Sequence, residues 1–390
     1  MRRALTSRPW VAVLAIYVGS RILSSALLEG LFALATARHW PFASHRSHPS
    51  FFTFSGSWDA SFYKTIAEHG YPTTLPTDAA GHVVPNPWAF LPVFPGIVRF
   101  VTAVTGLGFY PAGVLVATVF GAGAALMLHR LLVLRVPERQ SLFAVVLFCV
   151  GPMGFVLQVA YAESAFVFFL FSALWCLLSR RYWLLIPFAV AAAFTRPGIL
   201  ALALALGVHF VLRFAAWRRT GSVFPWRERV AIVVAALVTA AAGLAWPLVA
   251  AAFTGEANAY LDTELSWWVG FVGRRHFAPL TPWFAMAGTY LGWAGIVLVV
   301  VVLAAGAWWL TRRSTRMLGP DLTAFVASYW LYLVAVFLPQ QSLVRLMLPV
   351  APLLGSPVFS RTRRRRGLLV AAAVVLQGVA VVFLWFLGYP

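Results

Sequence analysis

Long apolar runs separated by short arginine clusters make up most of this chain. The runs cover residues 10–37, 88–105, 109–134, 140–160, 164–179, 230–253, 283–310, 322–338, 343–359 and 367–388. Two shorter ones lie between Arg181 and Arg213 and meet at Thr195-Arg196-Pro197-Gly198. A bilayer-spanning helix needs roughly 20 consecutive apolar residues. The pattern therefore predicts an all-α, polytopic integral membrane protein. The basic clusters are Arg2/Arg3/Arg8, Arg130/Arg135/Arg139, Arg180/Arg181, Arg213 to Arg229, Arg312/Arg313/Arg316 and Arg361 to Arg366. The positive-inside rule places them all in the cytoplasm, so an even number of crossings separates each cluster from the next.

Parity decides the doubtful segments. Three runs lie between Arg8 and Arg130, and one of them must fail to cross. Residues 88–105 contain Pro92, Pro95 and Arg99, and prolines remove backbone donors and break helices. This run is expected to be a juxtamembrane or re-entrant half-helix, tolerated where it lines a protein cavity. The other runs pair across outer turns at Tyr161-Ala162-Glu163, at Thr195–Gly198, at 254–282 and at Pro339-Gln340-Gln341. The expectation is about 11 transmembrane helices of the usual length in a single membrane-embedded domain, residues 1–390. Its N-terminus is cytoplasmic, and its first outer loop, 38–108, carries juxtamembrane helices. The run from Trp10 to Ala37 exceeds a signal-peptide core and is expected to be a retained span.

Composition agrees with this picture. Of 390 residues, 61% are hydrophobic and only 11% charged, against about 25% charged in soluble domains. The net charge of +19 would suggest nucleic acid in a soluble protein. Here the arginines sit between apolar runs and form no stripe interleaved with aromatics, which excludes that partner. Cys149 and Cys176 both lie inside apolar runs and support neither a disulfide framework nor a zinc site. His45 and His48 lack further ligands, and Asp262-Thr263-Glu264 reads more simply as a solvated loop than as a cation site. No metal and no cofactor is expected. The chain has no P-loop, no nucleotide-binding glycine fingerprint and no Gly-x-Ser-x-Gly elbow.

The acids are distributed unevenly. Glu138, Glu228 and Asp321 fall on the cytoplasmic side, whereas Glu29, Asp59, Glu68, Asp78, Glu163, Glu256, Asp262 and Glu264 fall outside or within spans. Arg196, Arg274, Arg275 and Arg345 accompany the second group. Polar chemistry is thus expected on the outer face. A mid-bilayer charge costs about 2.5–3.5 kcal/mol, so Arg21 and Glu29 are expected to pair along one face of the first span. In the loop 38–87, Phe62, Tyr63 and Ile66 suit an amphipathic helix on the membrane surface, capped by Ser57 and stopped by Gly70. Asp59 then sits in its first turn. It is either a charge favoured by the helix dipole or a base held where a lipid-borne substrate arrives.

The segments Trp58-Asp59, Ile66-Ala67-Glu68-His69-Gly70-Tyr71 and Ala89-Phe90-Leu91-Pro92-Val93-Phe94-Pro95 together resemble the first-loop signature of the PIG-V family. These are membrane mannosyltransferases that add the second mannose in glycosylphosphatidylinositol assembly, together with bacterial relatives. Ser20-Arg21, Tyr161-Ala162-Glu163-Ser164-Ala165, Thr195-Arg196-Pro197-Gly198 and Arg345 with Pro349 resemble further family segments in the same order. The resemblance implies a GT-C glycosyltransferase fold and a polyprenyl-phosphate-linked sugar, of which mannose is one, as donor substrate. It implies Asp59 as general base on an acceptor hydroxyl, with inversion at the sugar, on the outer face of the cell membrane. Arg196 and Arg345 would meet the leaving phosphate; Glu68, His69 and Glu163 would bind sugar hydroxyls; Trp58 and Tyr63 would offer ring faces. The family's Phe-Phe-Pro is Phe90-Leu91-Pro92 here. A single lysine, Lys64, amid high Ala, Arg and Val usage points to a GC-rich bacterial genome, where a glycosylphosphatidylinositol acceptor is not expected. The acceptor, a lipid, glycan or protein, stays open. A polytopic transporter or lipid flippase is the alternative class, because broken helices with buried charges also mark transport sites; a non-catalytic scaffold is a third.

Overall fold

The computed structural model describes residues 8–40 and 49–388; Arg2, Arg3, His45 and His48 lie outside the described residues. Among those described, the chain is all-α, with one isolated antiparallel bridge, Thr77 to Val83. Its helices in chain order are α1 (Pro9–Ala37), α2 (Ala60–His69), α3 (Val93–Thr105), α4 (Phe109–Leu132), α5 (Glu138–Val150), α6 (Glu163–Leu178), α7 (Tyr182–Ala193), α8 (Leu200–Thr220), α9 (Trp226–Thr254), α10 (Ala259–Ser266), α11 (Pro282–Thr311), α12 (Pro320–Val336) and α13 (Arg363–Ala380). Single turns and 3-10 segments join them.

Among the described residues six helices are long and apolar enough to cross a membrane: α1, α4, α8, α9, α11 and α13 with its continuation to Phe386. Their exposed positions include Val18, Ile22, Leu237, Trp293 and Leu368. An apolar outside of this kind suits lipid, where the solvent is as apolar as the core. The chain is a multi-pass membrane protein. α3, α6, α7 and α12 are shorter apolar helices. At 13 residues, α3 is only about 20 Å long; α7, an expected span, is shorter still at 12 residues.

Two of the expected spans give way to 3-10 turns, and a third, within α11, is kinked at Gly292, whose backbone is non-helical. The run 140–160 leaves the α conformation at Gly151-Pro152 and continues as a 3-10 segment, Gly154–Leu157. The run 343–359 is one helical turn, Leu343–Leu346, followed by 3-10 turns over Leu348–Gly355. Pro349 and Pro352 lie within those turns, and their missing N–H groups rule out a continuous α ladder. Hydropathy marked both segments as spans; Phe155, Val156, Leu157 and Ala351 are buried, but their backbone is not α-helical.

The expected single domain is organised by its internal contacts into two compact units. Unit 1 comprises Met1–His69, Pro92–Trp175 and Gln341–Pro390; unit 2 comprises Gly70–Leu91 and Cys176–Gln340. In unit 1, α1 packs on α4 and α5, α5 packs on Leu348–Gly355 and α13, and α2 lies on α3 and α4. Arg21 does not pair with Glu29, which is exposed. Eight residues apart, the two lie about 12 Å apart along the axis. Arg21 instead donates to the Cys149 carbonyl at 3.0 Å and lies over the Tyr17 ring.

In unit 2, α8 packs on α9 and α12, and α7 packs on α9. The proline-rich stretch 70–91 is tied down by its aromatics. Tyr71 stacks on Trp88 at 4.6 Å, and Trp88 packs on Trp246 at 5.4 Å. Trp88 donates its indole N–H to the Pro72 carbonyl, Trp246 donates to the Trp88 carbonyl, and Asn86 donates to Thr263. Buried indole and amide donors are thereby paired, as burial requires.

Candidate active site

The polar centre of unit 1 forms around Arg345. Its Nη1 lies 2.6 Å from Asp59 Oδ2 and 3.3 Å from Glu163 Oε1. Asp59 comes from the turn that leads into α2, Glu163 from the N-terminus of α6, and Arg345 from the turn Leu343–Leu346. Formally, two negative charges share one positive charge. A buried cluster of this kind is favourable only when the charges face one another closely, because each has left water. Nη1 faces both carboxylates, whereas Nε is buried with no hydrogen-bond partner among the described residues. The Ser164 hydroxyl, next in the chain to Glu163, is likewise buried without a partner. The cluster thus holds charge complementarity with donor capacity left over.

The two carboxylates differ in access. The Glu163 side chain is 3% exposed and that of Asp59 is 15%. Asp59 is the more exposed of the two, which makes it the candidate base.

Several local devices aim Asp59. Its backbone N–H donates to the Tyr161 hydroxyl at 3.2 Å, and its carbonyl accepts from Phe62 and Tyr63 to start α2. Burial, then the neighbouring Asp59 carboxylate, push the Tyr161 phenol well above its ordinary range, so it stays a neutral O–H. The Arg345 guanidinium carbon lies 5.2 Å from the Tyr161 ring centroid. Trp58, just before the aspartate, has φ +57°, a strained value for a bulky residue that costs about 1–3 kcal/mol. It is held there by its indole N–H, which donates to the Trp385 carbonyl at 2.8 Å. Trp385 in turn donates to the Phe54 carbonyl at 3.1 Å. Gly56 completes the turn: a Cβ there would fall 2.0 Å from the Tyr110 ring.

The expected site residues divide accordingly. Asp59, Glu163 and Arg345 are brought together, and Trp58 adjoins them in the chain with its indole N–H already committed. Tyr63 is 2% exposed and packs edge-on against Phe94 at 5.2 Å, so its ring fills the core and is no platform for a sugar. Glu68 and His69 are exposed at the end of α2, where Glu68 pairs with Lys64. Ser57 does not cap α2; its hydroxyl donates back to the Phe54 carbonyl. Gly70 does end the helix, at φ +82°, a conformation glycine adopts without a Cβ penalty.

Arg196 belongs to unit 2, on the turn before α8. It acts on the same phenol as Glu264: burial and the Glu264 carboxylate push Tyr260 well above its ordinary range, and Arg196 opposes them. Asp262 and Glu264 lie two positions apart on α10, about 200° around the helix, and do not converge. Among the described residues no group of three or more His, Cys, Asp or Glu side chains is placed to hold a metal ion. Sequence reasoning missed Trp385 and Gly56. An aromatic in a late apolar run and one glycine in a loop give no local signal of their partners.

No family model matches the chain. It is 34% identical over 157 residues to the mouse GPI alpha-1,6-mannosyltransferase 2, covering 37% of this chain and 29% of that protein. It is 31% identical over 193 residues to the human protein of the same name, covering 44% and 36%. The matched stretch therefore spans about a third of the length of these relatives. The oligosaccharyltransferase of Archaeoglobus fulgidus, solved in complex with Zn and sulfate, aligns over 93% of this chain and 52% of its own at 15% identity and a TM-score of 0.43, a likeness too slight to argue from. Over the stretch that aligns, the chain is a sequence relative of the PIG-V mannosyltransferases.

Proposed function

We propose that this protein is a membrane glycosyltransferase of GT-C type that moves a mannosyl or other hexosyl unit from a polyprenyl-phosphate sugar to an acceptor hydroxyl on the outer face. The observation that carries the reading is the buried Asp59–Arg345–Glu163 cluster, which the first-loop signature leads into. The partial likeness to mannosyltransferases supports the reaction class.

In this reading Asp59 takes the proton from the acceptor hydroxyl as general base. The acceptor oxygen forms its bond to the anomeric carbon from the face opposite the phosphate. The bond from that carbon to the phosphate oxygen breaks, the configuration inverts, and the polyprenyl phosphate leaves with the electron pair. Taking up a proton neutralises Asp59. The Arg345 charge it had been balancing is then available to the departing phosphate, in a water-poor site where such a charge acts strongly. Glu163, closed off from solvent, keeps Arg345 in place through both states. A lipid-phosphate donor needs no nucleotide site, in keeping with the missing nucleotide motifs.

The test supplies radiolabelled polyprenyl-phosphate mannose to membranes containing wild type or Asp59→Asn and counts label in lipid and polymer fractions. Transfer by wild type with a loss of about 10²–10⁴-fold in the variant is expected of a missing general base. Undiminished transfer by Asp59→Asn would sink the assignment of the base.

A further inference from the structure

Away from this cluster, unit 1 contains an open cleft of about 750 Å³ between the first turns of α5 and α13. The volume falls within the roughly 300–1,000 Å³ of small-molecule sites. Arg139 and Phe143 line it from α5; Arg363, Arg366, Val370 and Ala371 line it from α13. The lining contains three guanidinium groups and no carboxylate. Glu138, which precedes Arg139, is the acid at this helix end, and Arg361, Arg364 and Arg365 add positive charge on the α13 side.

The arrangement repeats on both helices. Residues four apart lie one above the other on a helix face, so Arg139 stands over Phe143 and Arg366 over Val370. Each pair offers a cation at one level and an apolar surface one turn deeper. Gly367 keeps the wall low, since nothing lies within 4 Å of where its Cβ would be. Gln140, beside Arg139, donates to the Gly355 carbonyl and fixes the start of α5. Arg366 Nε is buried and has no hydrogen-bond partner among the described residues. A buried N–H without an acceptor is costly, and converging arginines repel one another unless an anion lies between them. The positive-inside rule accounts for arginines at this membrane face. It does not require them to converge on a cleft with an apolar wall.

We propose that this cleft binds the phosphate head group of an anionic lipid. Arg139, Arg363 and Arg366 take the phosphate oxygens, a task suited to the planar guanidinium fork. The first methylenes of the lipid chain run along Phe143, Val370 and Ala371. A phosphoglycerolipid and a polyprenyl phosphate both supply this chemistry, and basic pockets between membrane helices are a general means of holding such head groups.

The full chain, purified in detergent, is titrated with phosphatidylglycerol, phosphatidylcholine, a polyprenyl phosphate and inorganic phosphate. Retention is read by native mass spectrometry, independently of any transfer activity. Phosphatidylglycerol or polyprenyl phosphate should be retained at least about tenfold better than phosphatidylcholine, and whichever is tighter identifies the lipid source. Arg139→Gln with Arg366→Gln should lower that retention about tenfold or more, in line with the size of single-charge effects at membrane surfaces. Arg313→Gln with Arg316→Gln, which removes two exposed arginines of unit 2, should leave it unchanged. Val370→Asp, which keeps every arginine, should also lower it, and thermal unfolding without added lipid shows that each variant is folded. Equal retention of phosphatidylcholine, equal loss in the two double variants, or inorganic phosphate binding as tightly as the lipids would overturn the proposal.

Discussion

Each unit buries an ionic network, and the two are built differently. In unit 2, Arg213 Nη2 lies 3.0 Å from both oxygens of Glu228, and Tyr182 donates to Glu228 at 3.1 Å. Tyr182 also meets His209 Nε2 at 3.0 Å, and His209 Nδ1 meets Asp321 at 2.7 Å. Four helices, α7, α8, α9 and α12, are thereby joined through side chains directed at one another. In unit 1, two carboxylates converge on Nη1 of one arginine, whose Nε has no hydrogen-bond partner among the described residues. The first network is a chain of directed hydrogen bonds, as a structural network must be if burial is not to be costly, although Arg213 Nε is buried without a hydrogen-bond partner among the described residues. The second gathers two acids of unequal exposure on one arginine. Neither burial of charge nor a leftover guanidinium N–H distinguishes the two; the convergence of two acids on one arginine does.

Breaking each network in turn tests this contrast. The largest effect is expected from Arg345→Gln, which leaves two carboxylates without their cation. Loss of one partner of a buried pair destabilises by about 3–5 kcal/mol, and thermal unfolding in detergent would register it together with loss of sugar transfer. Arg345→Lys separates the two roles: it restores most of the stability but not the transfer, because an ammonium cannot reproduce the guanidinium's reach toward two acids and a phosphate. Glu228→Ala in unit 2 strands Arg213 and should destabilise by about 2–4 kcal/mol, since this pair is slightly more solvated. Transfer per folded molecule should remain at the wild-type level. A selective loss of transfer there, with the melting temperature unchanged, would erase the distinction.

Smaller changes sharpen the comparison. Tyr161→Phe removes the acceptor for the Asp59 N–H and should cost about 1 kcal/mol, with a several-fold fall in transfer as the aspartate loses its aim. The smallest effect concerns Asp78 in unit 2. The backbone N–H of His82 foremost, aided by that of Ala80 and by the His82 and Arg274 charges, holds its carboxyl below the usual carboxylate range. A depressed folded value means that its stabilisation is present above an unfolded value of about 3.9 and is lost as pH falls through the folded one. Limited proteolysis of the 70–91 stretch should therefore quicken in acid. In Asp78→Asn it should run at one rate across the same pH range.

The local character of hydropathy explains how much of the fold could be read from the chain. Apolar runs punctuated by arginine clusters determined an all-α, multi-pass membrane protein, and the prolines of 88–105 marked a segment whose helix is only 13 residues long. The prolines of 343–359 carried the same signal, but a purely hydropathic reading counted that segment as a span. Parity of crossings cannot tell a regular helix from a buried 3-10 segment. Within the candidate site, the sequence singled out Asp59, Glu163 and Arg345 separately. It assigned Tyr63 to a sugar face and Arg21 to Glu29, whereas packing gave Tyr63 to Phe94 and Arg21 to the Cys149 carbonyl. Hydropathy and helix breaking depend on neighbours within a few residues, and the sequence by itself therefore determined class and segmentation. Ion pairing and burial depend on distances between segments far apart in the chain, so only the tertiary structure decided that one arginine stands between two acids and that Asp59 is the more exposed of them.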